Sequence, residues 1–269
     1  MASQAPKDIK HDGQRKQADW HWQWKHLSDD SLFLFHEWIA PHTQETFRDK
    51  IVVDAGCGGG QHTLFVAPYA RKVYAIDLNT VDLARERNKG ARNITYIEDD
   101  LATVKLPEKA DVLFCIGVIQ HTDDPDATFR HLRTLVKPGG LFILWCYSKE
   151  GNFLNEYVLE PMKRVIVLRL PKAVIHALAY VLTAMIYPCV YSIYLLPLRF
   201  LPYYEYFQNW RKLSYARNML NVFDKLNAPQ THFIPKETVE SWFASDAFTD
   251  VRIEPYKGVS WKASGRLRG

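Results

Sequence analysis

Hydrophobic and polar positions alternate along residues 50–148 in a pattern that predicts strands and helices in turn. Five short apolar runs, each closed by polar or glycine residues, are typical of strands buried in a parallel sheet. They span residues 50–55, 72–76, 94–97, 111–116 and 141–145, the last after the turn Lys137-Pro138-Gly139-Gly140. Thr80 and Gly90 mark the expected start and stop of one helix, and Asp124-Pro125 opens another. The alternation predicts right-handed crossovers and an α/β fold with a doubly wound sheet.

The pattern changes after the fifth run. Residues 151–227 are apolar and poor in strand signals, and within them residues 173–198 contain no Asp, Glu, Lys or Arg. The later elements are a helix at 236–243 and strands at 251–254 and 259–261. The sheet is therefore predicted to be interrupted by a helical insertion and then completed, which gives seven strands, most of them parallel.

Composition narrows the class of protein without naming a partner. The chain has 34 Lys and Arg against 30 Asp and Glu, a mixture too even to indicate nucleic-acid binding. Its four cysteines are far apart and form no CxxC pair, so neither a metal site nor a disulfide framework is predicted. Residues 1–19 are polar, lack the apolar stretch of a secretory signal and are expected to form a flexible arm. These features favour a cytoplasmic protein.

A glycine-rich segment follows the first predicted strand. Residues 53–60 read Val-Asp-Ala-Gly-Cys-Gly-Gly-Gly and precede a helical pattern, the context in which glycines let a backbone approach a ligand closely. A dinucleotide fingerprint starting at Gly56 would need its third glycine at Gln61. The spacing is instead GxGxG, formed by Gly56, Gly58 and Gly60 after Asp54. It argues against a nicotinamide dinucleotide site.

With this spacing, residues 50–148 resemble the class I methyltransferases that use S-adenosylmethionine (SAM). Asp77 ends the second strand where the family has an acidic residue that accepts hydrogen bonds from both ribose hydroxyls. Asp100, or the neighbouring Asp99, matches the acidic position that contacts the adenine amino group. The resemblance implies SAM as the cofactor. It implies a site formed by Asp54, Gly56, Cys57, Gly58, Gly60, Asp77, Leu78, Asp100, Leu101, Cys115, Ile116 and Gly117.

His121 is the preferred candidate for a catalytic base. The sulfonium of SAM already activates the methyl group, so the enzyme mainly aligns a nucleophile and excludes water. A base is needed only where the acceptor proton is not easily lost, as with a hydroxyl. His121 follows the fourth strand, where acceptor and cofactor should meet, and histidine titrates near neutral pH. His62 and His232 are weaker candidates, and a loop or helix-capping role for His121 stays open.

The acceptor is expected to be a small molecule with an apolar body. The loop after the fourth strand reads Cys-Ile-Gly-Val and lacks the Asn/Asp-Pro-Pro-aromatic pattern of base methyltransferases, so no nucleic acid is expected. Residues 187–210 contain nine aromatic side chains, and Trp20, Trp22 and Trp24 cluster before the sheet, where this family often has a helix that closes over the cofactor. Two interpretations stay open, a packed cap only and a pocket for an aromatic or lipid-like acceptor. The layout is loosely similar to bacterial methyltransferases of quinone, lipid and glycan pathways.

The charge-free run at 173–198 has 26 residues, enough to span a bilayer. A single crossing, however, would place residues 236–261 on the opposite side from the sheet that they should complete. Two interpretations remain, a helical cap over the active site and an apolar patch at a membrane surface. Basic residues flank the run on both sides and suit a membrane interface: Lys163, Arg164, Arg169, Lys172, Arg199, Arg211 and Lys212. Peripheral membrane contact through residues 160–212 is therefore a hypothesis beside a purely cytoplasmic location.

We therefore predict four regions on a Rossmann-like sheet. They are an N-terminal arm and lid helix (1–45), a SAM-binding α/β core (46–150), an aromatic-rich helical cap (151–228), and the last helix and strands of the sheet (229–269). The predicted activity is methyl transfer from SAM to a small hydrophobic acceptor, with O-methylation preferred. Two rivals stay open, an NAD-dependent oxidoreductase and a non-catalytic SAM-binding protein whose insertion meets a partner or a membrane. Nothing in the sequence indicates an oligomeric state.

Overall fold

The structure is a computed structural model and describes residues 18–27 and 31–269. Seven strands build one sheet: β1 Ile51–Ala55, β2 Lys72–Asp77, β3 Ile94–Glu98, β4 Ala110–Ile116, β5 Val136–Tyr147, β6 Phe248–Tyr256 and β7 Ser260–Leu267. Their order across the sheet is β3-β2-β1-β4-β5-β7-β6. Strands β1 to β5 run parallel, and β7 lies antiparallel between β5 and β6. The prediction of a seven-stranded, mostly parallel Rossmann-like sheet is confirmed.

The helices of the described residues lie around this sheet. They are α1 18–26, α2 Leu32–Ile39, α3 Gln61–Val66, α4 Val81–Arg87, α5 Pro125–Thr134, α6 Glu160–Val165, α7 Lys172–Val190, α8 Tyr204–Trp210, α9 Tyr215–Asn227 and α10 Lys236–Trp242. Short 3₁₀ turns occur at Gln44–Phe47, Ile119–His121, Val167–Arg169 and Ile193–Leu195, and a π turn at Asn155–Leu159. Residues 1–17 of the predicted arm lie outside the described residues, whereas Ala18 and Asp19 already belong to α1.

The predicted helix starts lie where the sequence signals place them. Asp124 precedes α5, and its carboxylate accepts a hydrogen bond from Ala127 N at 2.9 Å, as an N-cap residue should. Thr80 precedes α4, but its hydroxyl donates to Gly58 O at 2.8 Å rather than capping the helix. Thr80 therefore ties the second crossover to the glycine-rich segment.

The sheet separates two apolar layers. Because neighbouring strand residues point to opposite faces, Leu113 packs with Phe129 and Phe142 on one side, and Phe114 packs with Phe35 on the other. The rings of Phe129 and Phe142 lie 4.9 Å apart, and those of Phe35 and Phe114 lie 5.9 Å apart. Both faces of the parallel strands are thus covered by helices, so the carboxyl ends of these strands are where a ligand can enter.

The helices α6 to α9 form a separate cap between β5 and α10. Their core includes Ile175, Ala179, Trp210 and Phe223, and α7 packs mainly against α9. Among the described residues, α7 is the one helix that is long and apolar enough to cross a membrane. After the cap, the chain returns to pair β7 with β5. A single crossing by α7 would separate those two strands.

Two predicted boundaries are wrong. The predicted turn at 137–140 lies inside β5 as a bulge, because the pairing of β4 with β5 jumps from Ala110–Val136 to Val112–Leu141. The last two strands are longer than predicted, and Pro255 lies within β6. The edge strand β6 is mostly solvent-exposed, so its sequence has no continuous apolar run from which its length could be predicted. Proline is tolerated within it because an edge strand leaves backbone amides unpaired.

Candidate cofactor and acceptor site

One cavity of about 420 Å³ lies at the carboxyl ends of the parallel strands. Core loops form one side, and α1 and the cap form the other. Nine of the twelve cofactor residues predicted from the sequence line it: Gly56, Cys57, Gly58, Asp77, Leu78, Asp100, Leu101, Ile116 and Gly117. His121 and His62 line the same cavity, whereas His232 does not and is exposed. The structure therefore brings most of the predicted site together.

The glycine-rich turn between β1 and α3 approaches its surroundings too closely for side chains. Gly56 and Gly58 have positive φ values of 85° and 51°. A Cβ atom on Gly56 would overlap the side chain of Val118, and one on Gly58 would lie 3.1 Å from the ring of Trp24. The amides of Gly56 and Cys57 donate to Ile76 O at 2.8 and 2.9 Å. The turn is thus fixed over the end of β2, with its backbone open to the cavity.

Acidic side chains lie beside this turn. The carboxylate of Asp77, at the end of β2, accepts hydrogen bonds from Gly58 N at 3.0 Å and Asn79 N at 3.3 Å. Asp99 and Asp100 follow β3, and both line the cavity, so the two assignments for the adenine contact stay open. The carboxylates lie at neighbouring strand ends, because β2 is paired with both β1 and β3.

The three remaining predicted residues do not line the cavity. Asp54 is buried below the turn, where it accepts a hydrogen bond from the Thr63 hydroxyl at 2.6 Å. Burial raises the pKa of Asp54 to about 7. Gly60 packs against α4, where a Cβ atom would lie 2.8 Å from Ala84 Cα. Cys115 is buried in the sheet core. These residues shape the turn and the strand ends from behind instead of forming the wall.

His121 lies at the meeting point of the core, α1 and the cap. Its Nδ1 lies 2.8 Å from Gln230 O, and because a carbonyl can only accept, we assign the ring proton to Nδ1. The other ring nitrogen, Nε2, then carries a free lone pair. The rings of Trp20 and Tyr147 lie 4.8 and 5.9 Å from the imidazole. Burial lowers the pKa of His121, against the opposing effect of the Asp224 carboxylate. The imidazole is therefore neutral at physiological pH.

Comparison with known proteins identifies the core. Residues 53–144 match the model of a family described as "Methyltransferase domain". A ubiquinone biosynthesis O-methyltransferase from Stutzerimonas stutzeri is 33% identical over 138 residues, which are 47% of this chain and 59% of that protein. The corresponding protein of Cupriavidus pinatubonensis is 34% identical over 126 residues, 43% of this chain and 51% of that protein. The chain thus spans about half the length of these curated relatives.

The chain carries a class I SAM-dependent methyltransferase domain. SAM is the cofactor of this domain. The fold agrees with the structure of human N-acetylserotonin methyltransferase in complex with SAM, at a TM-score of 0.50 and 16% identity, covering 96% of this chain and 57% of that one. These matches favour the methyltransferase prediction over the NAD-dependent alternative.

The residues present suit SAM. Gly56 and Gly58 bring the backbone of the turn to the cavity at positions where a Cβ atom would crowd Val118 or Trp24, and the Asp77 carboxylate lies at the end of β2 next to them. The amide nitrogen of Gln61 is buried without a hydrogen-bond partner among the described residues, and Gln61 lines the cavity. Backbone amides, a carboxylate and a side-chain donor are the groups that the amino acid and ribose ends of SAM require. Within residues 18–27 and 31–269, no group of three His, Cys, Asp or Glu could hold a metal ion.

Helix α1 spans the cavity of the methyltransferase domain and joins its two sides. Trp20, Gln23 and Trp24 line the cavity. On the cap side, the Gln23 amide donates to Asp224 Oδ1 at 2.9 Å and accepts from Asn227 Nδ2 at 3.2 Å. On the core side, His21 Nε2 lies 3.2 Å from Asp82. The tryptophan cluster noted in the sequence is therefore part of a helix that covers the cofactor end.

The polar side chains of the cap end were not predicted from the sequence. The residues Arg217, Asn221, Asp224 and Lys225 of α9 all line the cavity, together with Tyr147 from β5. Their spacing of four, three and one puts them on one face of the helix. The Tyr147 hydroxyl donates to Asp224 Oδ2 at 3.0 Å. The polar face of α9 is visible in the sequence, but the same pattern is typical of a helix face turned to solvent, so it did not identify these residues as part of a site.

Proposed function

We propose that the protein transfers the methyl group of SAM to a hydroxyl oxygen of a small acceptor with an aromatic body. The Stutzerimonas relative is named an O-methyltransferase, which supports oxygen as the acceptor atom. The cavity wall beyond the glycine turn includes Trp38, Trp145, Tyr206 and Trp210. Flat apolar walls favour a flat apolar ligand.

The proposal depends mainly on which ring nitrogen of His121 carries the proton. With Nδ1–H held by Gln230 O, Nε2 is the nitrogen that can accept a proton, and Nε2 has no hydrogen-bond partner among the described residues. When bound, SAM supplies an electrophilic methyl group on sulfur. His121 Nε2 removes the hydroxyl proton as the acceptor oxygen forms its bond to carbon and the carbon–sulfur bond breaks. Bound SAM would leave as S-adenosylhomocysteine with the electron pair of that bond, and the His121 imidazolium would release its proton to water.

Labelling identifies the acceptor. Lipid and aqueous fractions of a cell extract are incubated with the purified protein and methyl-labelled SAM, and the products are analysed by mass spectrometry. We expect a labelled methyl ether in one fraction. A label found only on nitrogen or carbon, or no label above the sample without protein, would contradict the proposal.

Substitution of His121 tests the base. For the labelled acceptor, His121→Ala should lower kcat by about 10²–10⁴-fold, with SAM affinity unchanged by calorimetry. His232→Ala is the matched control, since His232 is exposed and outside the cavity. An unchanged kcat in His121→Ala would exclude the role.

The pH dependence gives a second test. The base acts only when unprotonated, so the rate should rise with pH through the pKa of His121 and then level off. Because burial lowers that pKa, the rise should lie below the value of roughly 6.5 that is usual for histidine. A rise centred above that value would show that another group takes the proton.

A further inference from the structure

The cap end of the cavity carries more positive than negative charge. Arg217 and Lys225 of α9 line it, and among the described residues of that helix the one carboxylate that lines it is Asp224. The cofactor end has the opposite character, because three carboxylates at the ends of β2 and β3 line it: Asp77, Asp99 and Asp100. The cavity is therefore polarised along its length.

The cation of Lys225 is not neutralised by its neighbour in the sequence. The Asp224 carboxylate is taken by two uncharged donors, the Gln23 amide and the Tyr147 hydroxyl. The Lys225 ammonium instead lies 4.9 Å from the ring centre of Tyr147 and 5.5 Å from that of Tyr206. Among the described residues it forms no ion pair. A half-buried ammonium held over aromatic rings is placed to receive an anion.

A second cation lies two turns earlier on the same face of α9. Arg217 is held by Asn221, which also lines the cavity. This contact fixes one nitrogen of the guanidinium and thereby orients the whole planar group. Two oriented cations on one helix face, eight residues apart, frame the cap end of the cavity.

We propose that this cap end is an oxyanion subsite that binds a carboxylate or phosphate group on the acceptor. It rests on the proposed function, since it names the class of acceptor that the methyltransferase domain takes. The acceptor then has a hydroxyl near His121, an aromatic body between the tryptophans, and an acidic group toward Lys225 and Arg217. The subsite would select acidic aromatics over neutral ones.

Three probes that differ in one group test the subsite: phenol, 4-hydroxybenzoate and 4-hydroxyphenyl phosphate. Their binding is measured by calorimetry in the presence of S-adenosylhomocysteine. At least one anion should bind about tenfold or more tightly than phenol, the gain expected for one hydrogen bond to a charged group. The stronger of the two anions identifies the group. Equal binding of all three probes would overturn the proposal.

Variants locate the effect. Lys225→Met should remove about tenfold of the preference for the anion, and Lys225→Arg should keep it. Lys212→Met is the control, because Lys212 is exposed and outside the cavity. Unchanged affinity for S-adenosylhomocysteine shows that a variant is folded. If Lys225→Met leaves the preference intact, the subsite is wrong. Because no methyl transfer is measured, failure of the proposed function would not alter this result.

A different observation concerns the outer surface of the cap. Sixteen of the twenty-one large apolar residues that the described chain exposes lie within residues 153–200, so the exposure is concentrated in one region. Phe200 is 81% exposed, and Phe153 and Met185 are each 66% exposed. Soluble proteins rarely leave so much apolar surface in one region without a partner.

Helix α7 shows how this surface is arranged. Ile175, Ala179 and Thr183 are buried along one face, whereas Val174, Val181 and Met185 are exposed. At 100° per residue, the exposed set lies on the opposite side of the helix from the buried set. The helix therefore has one side in the cap and an apolar side outward.

The charges around this surface are mainly basic. Of the flanking cations predicted from the sequence, Lys163 is buried against Glu160, Lys172 pairs with Asp19 and Arg211 bonds to cap carbonyls. These three are used inside the protein. The exposed arginines of residues 160–212 are Arg164, Arg169 and Arg199, of which Arg164 lies 3.8 Å from the carboxylate of buried Glu160. Lys212 is also exposed and lies 3.8 Å from Glu37. The one exposed acidic residue of this segment is Glu205.

We infer that this cap surface lies on an anionic lipid bilayer, with α7 in the plane of the interface. Apolar side chains would enter the boundary between head groups and acyl chains, and the arginines would meet lipid phosphates. A second copy of the chain suits the surface less well. In a twofold dimer this surface would face its own copy, so the arginines of both copies would be brought to one interface with Glu205 as the one exposed acidic residue of each segment.

Vesicle sedimentation tests this surface. The protein should pellet with vesicles of equal parts phosphatidylcholine and phosphatidylglycerol, and much less with phosphatidylcholine alone. Met185→Asp should reduce binding by about tenfold or more. Arg199→Gln should reduce it by about fivefold, the share of one cation near an anionic surface. Val251→Asp is the control, because Val251 is an exposed apolar residue on β6, away from the cap.

Two results would overturn the inference. In one, the protein stays in the supernatant with anionic vesicles. In the other, sedimentation velocity shows a dimer that Met185→Asp dissociates, while vesicles do not bind. Circular dichroism of each variant shows whether it is folded.

Discussion

The cofactor end and the cap end of the same cavity are built in different ways. At the cofactor end, the site is formed mainly by the backbone of one short segment, in which Gly56 and Gly58 have positive φ. The Asp77 carboxylate accepts a hydrogen bond from the Gly58 amide. At the cap end, the side chains come from α1, β5 and α9, and Gln23 bonds to a residue 201 positions away. Local geometry fixes the donor site, whereas long-range packing shapes the acceptor site. The two ends should therefore respond differently to substitution.

The largest effect is expected at the turn. Gly58→Arg should lower SAM affinity by more than about a hundredfold, since positive φ is strained in any other residue and the new side chain meets Trp24. Isothermal titration measures the loss. Gly139→Ala is the matched control, because Gly139 also has positive φ, at 74°, but has open space around it and lies outside the cavity. Retained SAM affinity in Gly58→Arg would move the cofactor site elsewhere.

The next largest effect concerns Asp54, which is buried behind the glycine turn and does not line the cavity. Burial raises the pKa of Asp54 to about 7, so the folded protein holds a proton that the unfolded chain has released above its ordinary value of 3.8. The unfolding free energy of the wild type should therefore fall as pH rises from 3.8 to about 7. The Asp54→Asn variant should not show this fall, because its side chain does not titrate. From about pH 5 to about pH 8, the unfolding free energy of the variant should gain about 2–3 kcal/mol over the wild type.

Denaturant unfolding at the two pH values measures this gain. The comparison with the wild type removes the pH dependence of all other groups. Asp246→Asn, at an exposed position, should show no such change. A gain of zero in Asp54→Asn would mean that Asp54 is ionised in the folded protein throughout this range.

Substitution of Asp77 tests a residue that lines the cofactor end of the cavity. The resemblance to the family assigns it to the ribose hydroxyls, and the structure places it in the cavity with its carboxylate already fixed by Gly58. Asp77→Ala should weaken SAM binding by about 10–100-fold, the range for hydrogen bonds to a charged group. Asp246→Ala, at an exposed position outside the cavity, should leave the affinity unchanged. The same titration on Asp99→Ala and Asp100→Ala would show which of these two contacts the adenine.

The contrast between the two ends also explains what the sequence could predict. The sheet and the glycine turn are predictable because buried parallel strands are continuous apolar runs and a positive φ requires glycine. Asp54, Gly60 and Cys115 were placed in the wall because a motif does not say which side of the backbone faces a ligand. The exposed edge strand β6 gave too weak a pattern for its length.

The cap end was harder for a physical reason. Lys225 and Asp224 become site residues only when α9 packs against β5 and α1, and no local periodicity encodes that packing. A polar stripe on α9 could equally have been its solvent face. The aromatic content of the cap was visible, but its division into a cavity wall and an exposed surface required the fold.

The smallest effect is expected where the two ends are joined. Gln23 is buried and bonds to both Asp224 and Asn227, whereas His21, on the other side of α1, bonds to exposed Asp82. Gln23→Leu should lower the unfolding free energy by about 1–3 kcal/mol, because a charged group loses a buried donor. His21→Leu should cost less than about 1 kcal/mol, the usual limit for an exposed pair. In Gln23→Leu, α1 should also be cleaved faster in limited proteolysis, and saturating SAM should restore part of the protection. If His21→Leu has the larger effect, α1 belongs with the core and not with the cap, and the acceptor end must close by another element.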